Sequence, residues 1–403
     1  MKTLFLSILS SALTDSPLPC PTLSTEELSN ILRLSELHRV LPLVYDKLHS
    51  CGLRLPSGTP VHSQVRLLVS QQTLRTLSFA EVYRALTQQG LYPVVVKGII
   101  CRSLYQKPDL RISSDEDLLV SPEEYSLCRK LLEDMGFSLT KEADPLHYQH
   151  SFVRSDGLHI EVHTSLFDAR DSFFDKWNNE FDAWKDKTIT VSAEGTELLT
   201  LNPTDHLLYL ILHALKHFIH SGVGIRQVCD IAMLANRYAK ETDWHRFAER
   251  CKALNALRFA MGIFAVAKNH LNLSLEVCNA LSRFAPFPSN ESDLLEDILS
   301  AGVFGSATMS RLHSGIITFS EAKNKNKGIC RRIFPPAKSL SSNYTYAKKH
   351  PLLLPVAWGH RLLRYGKEIQ STENNSPFEA VQIGKQRLKL LKEYGLTDFS
   401  LSY

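Results

Sequence analysis

The spacing of apolar and polar residues divides the chain into helical flanks around a central stretch with β-strand character. Residues 24–52 have helical periodicity, with Ser24 as a plausible N-cap and Gly52 as a plausible stop. Residues 63–89 form a second helical stretch that ends at Gly90. Its apolar residues fall approximately on one stripe, which predicts a core-facing side: Leu67, Leu68, Leu74, Leu77, Ala80, Val82 and Leu86.

The periodicity changes after Gly90. Residues 92–96 are apolar and mostly β-branched, which predicts a buried strand, and residues 99–105 predict a short helix. A second strand is predicted over 111–120, followed by a helix from Ser121 to about Met135. A third strand is predicted over 158–162, after a turn at Asp156-Gly157. Alternating strands and helices of this kind indicate a small core of mixed α and β structure.

The remaining chain is mostly helical. Residues 187–201 predict a hairpin with its turn at Glu194-Gly195, and residues 203–302 predict helices. Residues 303–345 are loop-rich, and a helix is predicted near 357–369. The expected class is α+β with four parts: an N-terminal helical segment (1–62), a core (63–201), a helical domain (202–302) and a basic C-terminal extension that packs back on the core (303–403).

Composition limits the protein class without naming a partner. The chain has 403 residues, of which 44% are hydrophobic and 22% charged, with a net charge of +4; this is typical of a globular protein. Its eight cysteines form no C-x-x-C pair, so we expect buried thiols in a reducing compartment.

Lys2 and the apolar residues after it resemble a secretory signal, but serines interrupt them, and an amphipathic first helix is preferred. No apolar run reaches the roughly 20 residues of a membrane span, and a cytoplasmic location is expected.

Two carboxylates lie two residues apart in the second predicted strand. Asp115 and Asp117 would project from one face of that strand, with Cα atoms about 6.5–7 Å apart. Carboxylates in this arrangement suit Mg²⁺, which prefers a few carboxylates together with substrate phosphates. A D-x-D pair alone is a weak signal, since most such pairs lie on solvated strand faces or in turns.

A third acid strengthens the signal. The run His159-Ile160-Glu161-Val162-His163 alternates strictly, so Glu161 faces the same way as the two histidines. Glu161 is the expected third metal ligand, or the general base for an acceptor hydroxyl.

These residues resemble a known family. The run Val96-Lys97-Gly98, then Arg111, then Asp115-Glu116-Asp117-Leu118-Leu119-Val120 resembles bacterial nucleotidyltransferases of the DNA polymerase beta superfamily. It is most similar to a large, mostly uncharacterised branch whose signature begins Lys-Gly and ends Asp-x-Asp-Leu-Leu-Val. The resemblance is specific over roughly residues 91–167 and looser elsewhere.

The resemblance implies a minimal nucleotidyltransferase fold that moves a nucleoside monophosphate from an NTP such as ATP to a hydroxyl group. It implies Mg²⁺, or Mn²⁺ in its place, held by Asp115, Asp117 and Glu161. Gly98 matches the glycine at which phosphate meets a helix N-terminus, a geometry that suits anions.

The chain departs from the superfamily pattern at two positions. Gly98 is followed by Ile99 where the wider superfamily has a second glycine or a serine, so Lys97 or backbone amides are expected to bind more of the phosphate. Glu116 stands where the pattern is usually apolar. These departures favour an alternative function, a catalytically inactive nucleotide-binding module.

A helix with several histidines follows the core. His213, His217 and His220 share one helical face, for which core packing, a substrate-facing wall and a zinc site are the possible roles. We expect Lys216, His217, Arg226 and Asp230 to line the cleft opposite the metal. Together with three residues of the core they make up the predicted nucleotide-binding set: Lys97, Gly98, Arg111, Lys216, His217, Arg226 and Asp230.

The C-terminal extension is basic. From Lys323 to Lys367 the sequence has eleven Lys or Arg residues and no Asp or Glu, interleaved with aromatic residues. This pattern is typical of RNA binding, but also of a solvated linker or of a helix at a membrane surface. RNA binding would suit a third candidate function, a toxin-like transferase that acts on tRNA. The acceptor itself, whether a small molecule, a protein or an RNA, is not indicated by the sequence.

Overall fold

The computed structural model describes residues 1–54, 59–140, 148–220, 222–302, 344, 346–347, 350–360 and 377–396. The chain forms two compact units. The first consists of Met1–Ala214 and Ile225–Glu291, and the second of Leu215–Gly224 together with the described part of Ser292–Tyr403. The expected α+β class is confirmed, while the four-part division predicted from the sequence stays a prediction.

Helices precede and follow the sheet. Four come before it: α1 (Lys2–Thr14), α2 (Thr25–Leu37), α3 (Leu41–Ser50) and α4 (Pro60–Gln88). Three lie between its strands: α5 (Ile99–Arg102), α6 (Pro122–Asp134) and α7 (Ser172–Asn178). Those that follow it include α8 (Pro203–His220), α9 (Ile225–Arg237), α10 (Trp244–Ala253), α11 (Leu257–His270), α12 (Leu275–Leu281), α13 (Ser292–Ala301) and α14 (Pro377–Glu393). Residues 354–360 are also helical.

Seven strands form one mixed sheet. They are β1 (Val94–Val95), β2 (Glu116–Leu119), β3 (Ser138–Leu139), β4 (Gln149–Val153), β5 (His159–His163), β6 (Thr188–Ala193) and β7 (Thr196–Leu201). Their order across the sheet is β3-β4-β5-β2-β1-β7-β6. Strand β2 pairs in parallel with β5 and antiparallel with β1, so it lies at the centre of the sheet.

Local sequence signals fix several of these boundaries. Ser24 and Ser121 both form capping boxes, with Glu27 and Glu124 accepting from their backbone N–H groups. The turn predicted at Glu194-Gly195 is confirmed: both residues have positive φ, and β6 pairs with β7 around them.

The observed secondary structure differs from the predicted one at three places. The helical stretch over 24–52 is two helices, because the chain between them turns at Arg39, whose φ is +53°. The second strand begins only at Glu116, because the residues before it are held by side-chain hydrogen bonds. Strands β3 and β4 were not predicted, since β3 has only two residues and lacks a period-2 pattern.

One face of the sheet packs against helices α4, α5 and α6. Its buried core includes the even-numbered residues Leu118, Ile160 and Val162 of the central strands. Helix α4 contributes the apolar side chains Phe79, Val82, Tyr83 and Leu86. The predicted stripe on this helix was therefore only partly right: Ala80, Val82 and Leu86 are buried, whereas Leu67, Leu74 and Leu77 are exposed.

The first helix buries its apolar side. Phe5, Leu6, Ile8 and Leu9 of α1 are buried, in agreement with the predicted helix. Five of the described cysteines are also buried, as expected: Cys101, Cys128, Cys229, Cys251 and Cys278. Among the described helices, none is both long enough and apolar enough to cross a membrane.

Candidate active site

Asp117 and Glu161 lie opposite each other on the two central parallel strands. Asp117 of β2 pairs in register with Glu161 of β5. Because side chains alternate along a strand, both carboxylates point away from the face that carries Leu118, Ile160 and Val162. The register thus brings together, across one strand gap, two acids that are 44 residues apart in sequence.

His163 completes a cluster with these two acids. Its Nε2 lies 3.2 Å from Asp117 Oδ1 and 3.8 Å from Glu161 Oε2. One ligand atom from each of the three side chains lies within 4.8 Å of the others, and we call this set the central cluster. Gln149 of β4 donates from Nε2 to Glu161 Oε2 at 2.5 Å, which fixes the orientation of that carboxylate.

Lys97 supplies positive charge to the central cluster. Its Nζ lies 3.2 Å from Asp117 Oδ1. Burial disfavours the charged form of Lys97, but Asp117 and, more weakly, Asp115 and Glu161 outweigh it and raise the pKa of Lys97 above its usual range. Burial likewise disfavours the ionised form of Asp117, but Lys97 and His163 hold the pKa of that carboxyl well below its usual range. Asp117 is therefore an anion and Lys97 a cation at neutral pH.

The second oxygen of Asp117 accepts from no donor in the part of the chain that the structure describes. Asp117 is 1% exposed, and its Oδ2 forms no hydrogen bond with any of the described residues. A buried carboxylate oxygen left in this state costs about 1–3 kcal/mol, more when charged. The donor set of two carboxylates and one imidazole suits a divalent cation, which would satisfy this oxygen. The residues of the central cluster therefore fit a divalent metal ion.

Asp115 lies just before β2 and outside the central cluster. Its Oδ1 accepts a hydrogen bond from Ser114 Oγ at 3.0 Å, and its side chain is partly exposed. Its charge nevertheless acts on Lys97 and on Arg226. Its role as a metal ligand stays a prediction.

Glu116 points to the opposite face of the sheet from Asp117. Its carboxylate accepts from Arg102 Nη2 at 2.6 Å and from the Ile99 backbone N–H at 2.7 Å. Burial raises the pKa of Glu116 in spite of Arg102. Glu116, which departs from the family pattern, thus forms a buried ion pair with Arg102 on the face of the sheet opposite Asp117.

Gly98 is required by this ion pair. A Cβ added at Gly98 would lie 1.9 Å from Glu116 Oε2, and the φ of Gly98 is +58°. The backbone N–H of Ile99, at the start of α5, donates to Glu116. A phosphate-binding role for Gly98 stays a prediction.

Residues 111–115, here called the approach segment, are held by buried side chains from two long helices. Gln72 of α4 accepts from the Ser113 N–H at 2.8 Å, and Arg226 of α9 donates from Nη1 to the Ile112 carbonyl. Arg111 makes a bidentate pair with Asp230 of α9, at 3.0 and 2.5 Å. These contacts hold the backbone that leads into Asp115 and Asp117.

The predicted nucleotide-binding residues occupy different settings. Arg111 and Asp230 bind each other and are buried. Arg226 has one backbone acceptor, and its Nε has no partner among the described residues. Lys216 and His217 belong to the second compact unit. A direct contact of these five residues with a nucleotide stays a prediction.

The sequence did not assign a role to several residues of the site, among them Gln149, His163 and His206. His163 was visible in the alternating run of β5 but was not assigned a role. His206 of α8 donates from Nε2 to the Val96 carbonyl at 2.8 Å and so anchors the end of β1 beside Lys97. Nothing in the local sequence pattern pointed to His206.

The mixed sheet thus carries acids on two adjacent central strands, Asp117 and Glu161, with Lys97 beside Asp117. Residues 24–272 match the family described as "Uncharacterised nucleotidyltransferase", and the chain belongs to that family. The chain is also similar to the crystal structure of an antigenic nucleotidyltransferase-like protein from Paracoccidioides brasiliensis. That similarity has 14% identity and a TM-score of 0.32, and covers 53% of this chain and 92% of that one. No curated protein is significantly similar to the chain.

Proposed function

We propose that the chain transfers a nucleoside monophosphate from an NTP to a hydroxyl group and releases pyrophosphate. Asp115, Asp117 and Glu161 hold a divalent metal, Mg²⁺ or Mn²⁺. The observation that carries this proposal is the buried Oδ2 of Asp117, which has no donor among the described residues and lies beside Glu161 and His163. The Lys97-Gly98 and Asp115–Val120 motifs support placing the chain in the bacterial branch of the DNA polymerase beta superfamily.

The chemistry follows from charge. In the reaction, an acceptor oxygen bonds to the α-phosphorus, the bond from that phosphorus to the bridging oxygen of the β-phosphate breaks, and pyrophosphate leaves. A bound divalent metal neutralises charge on the triphosphate and lowers the pKa of the acceptor hydroxyl. Glu161, oriented by Gln149, is a ligand of that metal or accepts the hydroxyl proton directly.

Lys97 and Arg226 are the cations best suited to bind phosphate. Lys97 is ionised beside Asp117. Burial and the neighbouring Arg111 lower the pKa of Arg226 to about 10, so its guanidinium gains stability when an anion approaches. We also propose, from the sequence alone, that Lys216 and His217 bind the nucleotide.

The alternative function, an inactive nucleotide-binding module, was favoured by two departures from the family pattern, Glu116 and Ile99. The first of these no longer supports it. Glu116 was an argument for a drifted site, but its carboxylate is paired with Arg102 and Ile99. The other argument, Ile99 after Gly98, remains. The tRNA-directed alternative depends on residues 323–367, of which most lie outside the described residues.

Thermal stabilisation by nucleotides tests the proposal. The melting temperature is measured with each of the four NTPs, with and without Mg²⁺ or Mn²⁺, in the native chain and in Asp117→Asn. A ligand at ~100 times its dissociation constant adds about 2.7 kcal/mol. We expect at least one NTP to stabilise the native chain only when metal is present, and Asp117→Asn to lose the effect.

Glu133→Gln is the matched control, because it also removes one carboxylate charge, from an exposed pair on α6. It should behave as the native chain does. A second assay follows labelled NMP incorporation and pyrophosphate release with a panel of proteins, RNAs and small hydroxyl compounds. If no NTP stabilises the chain with either metal, the enzyme proposal is wrong.

A further inference from the structure

The family resemblance assigned metal-binding roles to Asp115, Asp117 and Glu161, but not to His163, the third member of the central cluster. His163 follows Glu161 by two residues on β5, so both side chains lie on the same face of the sheet. Strand pairing places it opposite Leu119, yet its imidazole reaches back to Asp117, with Nε2 3.2 Å from Oδ1. His163 is 5% exposed. The imidazole Nε2 thus lies close enough to the Asp117 and Glu161 oxygens for all three side chains to bind one metal ion.

The other ring nitrogen does not prevent ligation. Nδ1 of His163 is buried and has no hydrogen-bond partner among the described residues. Because the Asp117 carboxylate can only accept, Nε2 carries the proton in this hydrogen bond. Moving that proton to Nδ1 frees the Nε2 lone pair, and no hydrogen bond at Nδ1 is lost in the exchange.

The second oxygen of Asp117 is the atom that a cation would satisfy. Lys97 and His163 both approach Oδ1, while Oδ2 accepts from none of the described residues. An ion that binds Oδ2, a Glu161 oxygen and Nε2 would satisfy the buried oxygen. It would also replace the His163 contact to Oδ1 with a bond to the metal.

We infer that His163 is a direct metal ligand through Nε2, and that this nitrogen makes the centre prefer Mn²⁺ and similar transition-metal ions over Mg²⁺. The inference rests on the proposed nucleotidyl transfer, since it concerns the same metal. Mg²⁺ strongly prefers oxygen ligands and keeps several of its waters, whereas transition-metal ions accept imidazole readily.

Pulsed electron paramagnetic resonance of bound Mn²⁺ tests the inference without an activity assay. The full chain is loaded with Mn²⁺ alone, and the spin-echo modulation from a coordinated imidazole ¹⁴N is recorded. Incorporation of ¹⁵N-histidine should change that modulation to the ¹⁵N pattern. We expect the coupling in the native chain and in His159→Gln, and its loss in His163→Gln. His159 is the matched control, because it lies on the same strand and face but outside the central cluster.

Metal titrations give the second readout. His163→Gln should weaken Mn²⁺ binding about tenfold or more. Loss of a residue that only supports a metal ligand already costs about tenfold, so loss of a direct ligand should cost at least as much. Mg²⁺ binding should change much less, because the oxygen ligands remain. Equal losses for both ions would show that His163 only orients Asp117.

The outcomes separate the inference from the proposed function. Bound Mn²⁺ without nitrogen coupling in the native chain would overturn the ligand assignment and leave nucleotidyl transfer standing. Failure of Mn²⁺ to bind, with and without a non-hydrolysable NTP, would overturn both. The native spectrum decides the ligand assignment even if His163→Gln does not fold.

Discussion

At the scale of single residues, Gly98 and Glu116 depend on each other. Glu116 is the residue that departs from the family pattern, and its carboxylate lies where a side chain at position 98 would have to go. The buried pair with Arg102 holds that carboxylate in place at 2.6 Å. A glycine is needed here for two separate reasons, its positive φ and the lack of space.

Gly98→Ala is therefore expected to destabilise the fold strongly. The new methyl group must displace Glu116 from a buried ion pair, and breaking such a pair costs about 3–5 kcal/mol. Gly136→Ala is the control: Gly136 also has positive φ, +83°, but no atom lies within 4 Å of an added Cβ. That variant should lose only the backbone term, about 1–2 kcal/mol. Urea unfolding measures both, and equal losses would contradict the steric explanation.

His206 predicts a pH dependence of stability. Burial lowers the pKa of His206 to about 4, although the bond to the Val96 carbonyl opposes this. Between pH 4 and the unfolded value near ~6.5, the unfolded chain binds a proton that the folded chain does not. This contribution to stability is present above pH ~6.5 and is lost as the pH falls towards 4.

The loss is expected to reach about 2 kcal/mol at pH 5. His206→Gln should start from lower stability at pH 7.5 but lose less on going to pH 5. Denaturant unfolding at the two pH values checks this, with the exposed His62→Gln as control. A native chain and a His206→Gln variant that lose stability in parallel would show that other groups cause the pH dependence.

At the scale of elements, the approach segment joins the metal site to the helical region. It contacts α4 through Gln72 and α9 through Arg226 and Asp230. Two arginines and one carboxylate are buried together there, and burial and Arg111 lower the pKa of Arg226 although Asp230 and Asp115 oppose this. An anion bound nearby would favour the charged form of that guanidinium.

Arg226→Ala is expected to weaken NTP binding about tenfold, which corresponds to about 1.4 kcal/mol. The control is Arg237→Ala, which removes an exposed arginine from the end of the same helix. Calorimetric titration with a non-hydrolysable NTP and metal measures both affinities. Unchanged affinity in Arg226→Ala would mean that Arg226 only supports the Ile112 backbone.

Elements with strong local signals were the ones that the sequence predicted well. The capping box at Ser121, the turn at Glu194-Gly195 and the strict alternation of β5 each depend on a few neighbouring residues. The pairing of Asp117 with Glu161 was anticipated from that alternation together with the family motif.

What the sequence did not predict depends on contacts between distant residues. The pairs Glu116–Arg102 and Arg111–Asp230 and the bond from His206 to Val96 join residues 14 to 119 positions apart. The exposed leucines of α4, such as Leu74, were wrongly predicted to be buried for the same reason. A helical stripe of apolar residues indicates an apolar face, but not which other part of the chain covers it.

At the scale of the whole molecule, the second compact unit has a buried arginine that joins two of its described helices. Arg387 of α14 is 1% exposed, donates to the Phe218 carbonyl and lies 3.6 Å from Asp297 Oδ1 of α13. Cutting the chain before Lys323 would remove α14 together with the basic residues. RNA binding is therefore better tested by replacing Lys and Arg between 323 and 367 with Gln in the full chain.

Arg387→Ala is expected to destabilise the second unit, and Lys389→Ala is its matched control on the same helix. Removing Arg387 takes a buried cation from beside Asp297, and breaking a buried pair costs about 3–5 kcal/mol. Lys389 pairs with Asp293 at 2.8 Å, but both side chains are exposed, so its loss should change little. Hydrogen exchange of the α13 amides measures the effect locally: protection should fall in Arg387→Ala and persist in Lys389→Ala. If both variants lose protection equally, charge pairing at the surface rather than the buried guanidinium would be what holds α14 to this unit.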